Sequence, residues 1–351
     1  MRYDLRVMKL STGTRSAAFV SMAAFAFLAG CAANPEQTPT QTSSGGTTAG
    51  TGGSKSGSGG TTSGGSGGAK GSGGTTGSGG TTAGGSGGKG SSSATCTPGK
   101  VPVGMLVSPY GFMTLDITEG DGVVREYILQ VNEWNQAANM APQTVAFGGS
   151  AFFKMTQQMG SVSVQGGPVG FPSHFIGSNG GKMTVDSNLP KAVSALTTVP
   201  TSWTWDDGGT LADPTNNSYN ATYDVWFSTS AAGDPMTTNS PSGGFLMVWY
   251  HKPNDAQPIG SIKYSAISIP GVPGTWNVWV GKNGSVPCIS YVSTTDIKSL
   301  SYDLNLFIQD AVNNRPQTIQ SSWSLTNVFA GFEIWRGGVN LQSTSFCAVV
   351  N

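Results

Sequence analysis

Charge is scarce in this 351-residue chain: Asp, Glu, Lys and Arg make up only 10% of it, against about 25% in an average globular protein. Eighteen basic residues balance eighteen acidic ones. A chain with no cationic surplus offers no basic stripe to follow phosphates, so nucleic acid is excluded as a partner. Only two histidines occur, His174 and His251, far apart and each without ligand-spaced neighbours. No metal site is expected, and both histidines default to surface or groove positions. No glycine loop with a lysine-serine ending stands between a strand and a helix, and no nucleophile elbow occurs, so no cofactor is expected either. Of the four cysteines, setting Cys31 aside leaves Cys96, Cys288 and Cys347. Three cysteines allow at most one disulfide and leave one thiol over; Cys96 with Cys347 is one of the pairs open. Glutamate is missing from the whole stretch between Glu133 and Glu333.

What is present falls into three parts. Residues 1–31 read as an export signal: Arg2, Arg6, Lys9 and Arg15 precede an apolar run from Ala17 to Ala29 that is too short to span a bilayer comfortably. The run ends in Leu28-Ala29-Gly30-Cys31, which resembles the bacterial lipobox and predicts lipidation at Cys31. The expected location is a bacterial membrane surface, facing the periplasm or the cell exterior. Residues 32–95 are dominated by Gly, Ser and Thr, with Gly-Gly-Thr-Thr recurring. Such a composition cannot bury enough apolar surface to offset its ordering entropy, so a flexible tether with a reach of roughly 40–45 Å is expected. Residues 96–351 hold all nine tryptophans and are long enough for one large domain, expected as a monomer.

In that domain, short segments alternate with a period of two and are bounded by Gly, Pro, Asn and Asp. They include Tyr223–Phe227, Phe245–Tyr250, Ile262–Ile267, Thr275–Val280, Cys288–Val292 and Phe329–Trp335. Lys282-Asn283-Gly284 between two of them signals a hairpin. One helical period occurs, Leu304, Phe307, Ile308, Ala311 and Val312, after a candidate Asp303 cap. The pattern predicts an all-β fold, a two-sheet sandwich with one packed helix. Alternation places Asp224 and Trp226 on one strand face, Phe245, Met247 and Trp249 on another, and Glu333 and Trp335 on a third. These faces carry Trp, Met and carboxylates where aliphatic core residues occupy the reverse. That combination suits a sugar groove, because indole rings stack on the apolar faces of pyranoses while carboxylates bond hydroxyls.

The ordered series Asn132-Glu-Trp134, Phe171-Pro-Ser173, Pro200-Thr-Ser-Trp-Thr-Trp205, Tyr223-Asp-Val-Trp226, Leu246-Met-Val-Trp249, Pro258-Ile-Gly-Ser261, Trp276-Asn-Val-Trp279 and Gly331-Phe-Glu-Ile-Trp335 resembles glycoside hydrolase family 12. The resemblance runs from about residue 125 to the C-terminus. It implies a β-jelly roll acting on β-1,4-glucans such as cellulose, mixed-linkage glucan or xyloglucan, with retention of configuration. It also implies that Glu333 is the acid/base and that Asp224 orients the nucleophile; the candidate polymer contacts are Trp134, Asn132, Trp226, Met247, Trp249 and Trp335, with His251 added because it follows the Trp249-Tyr250 strand end. Retention needs two carboxyl groups about 5–5.5 Å apart. The position matching the nucleophile is Phe245, which can form no glycosyl ester. Two functions follow as expectations: a hydrolase in which Asp224 substitutes as base, or a glucan-binding module that has lost catalysis. Asp206 and Asp207 read as turn residues and Glu133 as solvated surface.

Overall fold

A computed structural model describes residues 103–107, 111–119, 121–135, 143–148, 151–158, 160–229 and 240–351. The signal, Cys31, the tether and Cys96 lie outside the described residues.

The first strands are β1 (Gly104–Val107), β2 (Phe112–Thr118), β3 (Val124–Gln130), β4 (Thr144–Gly148), β5 (Ala151–Gln157) and β6 (Ser173–Asn179). There follow the short β7 (Lys182–Met183) and β8 (Lys191–Ala192), then β9 (Pro200–Asp206), β10 (Ser218–Tyr219), β11 (Ala221–Ser228) and β12 (Gly244–His251). The C-terminal part holds β13 (Ser261–Ile267), β14 (Trp276–Asn283), β15 (Val286–Ser293), β16 (Ser299–Asp303), α1 (Asn305–Asn314), β17 (Ser324–Gly331), β18 (Ile334–Arg336) and β19 (Gln342–Ala348).

These strands form the predicted two-sheet jelly-roll sandwich. The large sheet runs β13-β14-β15-β12-β11-β17-β6-β3-β2, and the smaller runs β1-β4-β5-β19-β9-β16. A two-stranded ribbon pairs β10 with β18. Among the described strands every pairing is antiparallel except β12 with β15, which run parallel. Because successive side chains alternate faces, β11 sends Tyr223, Val225 and Phe227 inward and β12 sends Leu246, Val248 and Tyr250. There they meet Phe153, Trp203, Trp205 and Phe346 of the smaller sheet in one buried cluster. Trp203 anchors it, with rings of Tyr223 and Tyr250 at 5.6 and 5.4 Å and its Nε1 donating to Ser343 Oγ at 2.9 Å.

The Asn-Gly hairpin forms between β14 and β15, with Asn283 opposite Val286 and the positive φ, 60°, on Gly284. The helix starts as expected: the Asp303 carboxylate accepts the Asn305 N–H at 3.0 Å, satisfying one of the orphan donors of the first turn. Its Phe307 sits edge-on to Trp276 at 4.9 Å and within 5.5 Å of Tyr302. Burial of such a ring contributes roughly 1.5–3 kcal/mol.

Two polar residues are buried against expectation. His174 is no surface or groove residue; it is fully buried between the sheets, stacked on Phe346 at 4.2 Å and edge-on to Phe152 at 4.7 Å. Glu133 is not solvated but 1% exposed, and its carboxylate accepts the Gln143 N–H at 3.1 Å. Cys288 and Cys347 are both disulfide-bonded, so neither is the left-over thiol.

Candidate active site

The second face of the large sheet carries the chemistry. In the β11–β12 register Trp226 lies opposite Phe245, Asp224 opposite Met247 and Thr222 opposite Trp249. On its other side Asp224 faces Phe329 of β17. A carboxylate between a thioether and a phenyl ring, with no exposed surface, loses its hydration. The Trp226 indole donates to Asp224 Oδ2 at 2.7 Å, while Oδ1 is buried without a partner. Burial outweighs the indole bond and raises the Asp224 pKa to about 7.

Glu333 stands where the chain leaves β17 and before it enters β18, so the expected continuous strand from Phe329 to Trp335 is interrupted at Phe332 and Glu333. Gly331 permits the passage: a Cβ there would lie 2.3 Å from the Pro172 carbonyl oxygen. Phe332 and Ile334 turn into the inter-sheet core, and Trp335 joins the opposite face. Asn220 brackets Glu333 from both sides. Its side-chain amide donates to Oε2 at 2.5 Å, its Oδ1 accepts the Glu333 N–H at 2.9 Å, and its own N–H donates to the Glu333 carbonyl at 3.0 Å. The other oxygen, Oε1, is buried without a partner. Burial first, and then the neighbouring Asp224 charge, hold the Glu333 pKa well above the usual carboxylate range. The Asp224 charge therefore adds to burial in raising Glu333, and Asp224 itself divides between its two forms near neutrality.

Around them Trp226, Phe245, Met247, Trp249 and Trp335 form one buried apolar cluster, against which half-buried Trp134 packs. The Trp249 and Trp335 rings lie 6.4 Å apart, and Trp335 Nε1 donates to the Gly166 carbonyl at 2.9 Å. Asn132 takes a positive φ of 47°, and its carbonyl receives the Phe171 N–H at 2.8 Å, which fixes the segment that presents Trp134. The predicted face residues are thus brought together.

His251 is not among them. A register shift between Ala221 and Thr222 opposite the end of β12 accompanies its placement beside Trp205 and Tyr219 at the end of the sandwich, where Nδ1 meets Asp296 Oδ1 at 2.8 Å. Asp206 and Asp207 act as turn residues, accepting the Gly208 and Gly209 N–H groups. No group of metal-ligating side chains occurs among the described residues. Sequence reading missed Asn220, because its partner lies 113 positions away.

Residues 125–351 match the sequence pattern of Glycosyl hydrolase family 12. The chain belongs to glycosyl hydrolase family 12. It is 32% identical over 165 residues to a probable cellulase, Cel12b, of Mycobacterium tuberculosis, spanning 47% of this chain and 99% of that protein. It is also 32% identical over 161 residues to a probable xyloglucan-specific endo-beta-1,4-glucanase A of Aspergillus terreus, covering 46% of this chain but 58% of that one. Among solved family 12 structures, the endoglucanase cel12A from Rhodothermus marinus superposes with a TM-score of 0.57 at 29% identity, over 70% of this chain and 98% of its own. Another family 12 glycoside hydrolase gives 0.59 at 31% identity, over 71% and 99%. The family 12 sandwich supplies the two sheets, and this chain's own residues line the second face.

Proposed function

We propose that this protein acts on β-1,4-glucans, such as cellulose, mixed-linkage glucan or xyloglucan, while tethered through Cys31 to a bacterial membrane surface. The relatives' names as cellulase and xyloglucan-specific glucanases support the substrate class. The observation that carries the reading is the convergence of Trp134, Trp226, Trp249 and Trp335 with Asp224 and Glu333 on one sheet face. Trp134, half-buried, is the indole among them open to a sugar ring, while Trp226, Trp249 and Trp335 are buried behind it. Glu333, whose pKa burial raises, is the group suited to give a proton to the departing glycosidic oxygen, and Asn220 aims it.

The double displacement of a retaining glycosidase is not open to this chain, because the nucleophile position is Phe245 and a phenyl ring forms no ester. The ring is fully buried and packed edge-on to Trp226, which favours polymer binding with little or no cleavage. The unpartnered Asp224 Oδ1 favours a second reading. In it Asp224 takes a proton from water as the water attacks the anomeric carbon, and Glu333 protonates the leaving oxygen, with inversion.

The test is reducing-sugar release from soluble β-glucan, alongside binding to the same polymer, by the wild type, Phe245→Glu, Glu333→Gln and Asp224→Asn. Binding without release, with release gained by Phe245→Glu, supports the glucan-binding reading. Wild-type release abolished by Asp224→Asn supports the single displacement. Absence of both binding and release overturns the proposal.

A further inference from the structure

The β10–β18 ribbon has a second side. Ser218 pairs with Arg336 and Tyr219 with Ile334, immediately next to the Asn220–Glu333 bracket. A cavity of about 710 Å³ opens there, bounded by this ribbon, the segment 210–217 and the segment 251–255 that follows β12. Its size lies within the roughly 300–1,000 Å³ of small-molecule sites.

Its chemistry is specific. Asp255 is held by two donors, Ser218 Oγ at 2.6 Å and Arg336 Nη2 at 2.7 Å, and both bonds help keep its carboxyl ionised despite partial burial. Arg336 Nε is buried without a partner, a donor whose desolvation is uncompensated in the free protein. His251 is oriented by Asp296 and packs on the Tyr219 ring at 5.4 Å. Lys252 and Arg336 are matched in charge by Asp255 and Asp296, so the lining is close to neutral and gives an anion no net attraction. Fixed planar donors and acceptors beside an aromatic ring suit a neutral polyhydroxylated ligand, whose hydroxyls donate to carboxylates and accept from guanidinium and imidazole.

We propose that this cavity is a second carbohydrate site, separate from the Trp249–Trp335 face, that takes a short neutral oligosaccharide through Asp255, Arg336 and His251. The inference rests on the glucan reading for the identity of the sugar. Placed beside the segment that carries Glu333, such a site gives the polymer an additional hold without using the carboxylates of the sheet face.

Calorimetric titration of the full chain with cellotetraose and with a xyloglucan oligosaccharide tests this. The wild type is expected to bind at two sites. Thr215→Trp, which fills the cavity from an exposed lining position, is expected to remove one of them, and Asp255→Asn to weaken the same one about tenfold. Trp134→Ala is expected to affect the other alone. Thermal melts of each variant separate loss of binding from loss of fold. Binding that Trp134→Ala abolishes and Thr215→Trp leaves unchanged overturns the second site while the glucan reading stands. Binding that only Thr215→Trp abolishes keeps the cavity and overturns the sheet-face reading. No binding of either sugar overturns both, and displacement of bound sugar by millimolar inorganic phosphate overturns the assignment to a neutral ligand.

Discussion

Phe245 and Trp226 lie directly opposite one another on β12 and β11, ring centroids 5.9 Å apart and planes 84° to each other. An edge-to-face pair of this kind contributes about 0.5–1.5 kcal/mol beyond area burial. On the proposed reading it fills the place of a retaining glycosidase's nucleophile.

Phe245→Glu is therefore expected to raise β-glucan cleavage by at least about 100-fold, since it restores the second carboxyl group beside an intact Glu333. The same change loses the ring pair and buries another charge, so the melting temperature should fall. Initial rates and melts on one preparation check both parts. Unchanged rates in a folded variant would count against residue 245 as the missing group.

Asp224→Asn should change the pH dependence of stability. Folding raises the Asp224 pKa from 3.8 to about 7, so between those values the folded chain holds a proton that the unfolded chain has released. Its contribution is fully present below about pH 4 and is lost as pH rises to about 7, an amount on the order of 4 kcal/mol. Urea denaturation at intervals from pH 4 to 8 should show this fall in the wild type and a flatter profile in the variant. The raised Glu333 carboxyl adds a fall of the same sign.

His174 predicts the opposite slope. Full burial holds its pKa well below the ordinary 6.5, so below that value the unfolded chain takes up a proton that the folded chain refuses. Stability from this source is present above about pH 6.5 and declines on acidification. His174→Phe, which keeps a ring on Phe346, should remove that acid-side loss, measured by the same denaturation series from pH 7 down to pH 4.

Asn220→Ala should separate positioning from binding. Glu333 loses the amide that fixes Oε2 and the acceptor of its own N–H. Oligosaccharide affinity should stay within about twofold of the parent, while cleavage measured in the Phe245→Glu background drops by roughly 10- to 100-fold. Asn220→Asp, which keeps the backbone-facing acceptor alone, should restore little of it.

Much of the fold was legible as local pattern. Tyr223–Phe227 and Phe245–Tyr250 alternate so regularly that their two faces could be assigned before any pairing was known. The helix at Asn305–Asn314 announced itself by its 3.6-residue period and by Asp303. Lone polar residues were harder. Glu133 and His174 read as surface because polar side chains usually are. Their burial depends on Gln143 and Phe346, which only tertiary packing supplies. The interruption at Phe332 and Glu333 was equally hidden, since it accompanies the close approach of Gly331 to the Pro172 carbonyl just before β6.

By itself the sequence determined the scarcity of charge, the isolation of Glu333 as the sole glutamate after Glu133, and the phenylalanine at position 245, because these are matters of residue identity and spacing. It also determined which side chains share a face, because strand periodicity is local. Only the tertiary structure decided that those faces converge, that Asn220 holds Glu333, and that His251 turns away to the end of the sandwich. It likewise raised the pKa of Asp224 and Glu333, because desolvation is a property of everything packed around a carboxyl group and of no stretch of chain alone.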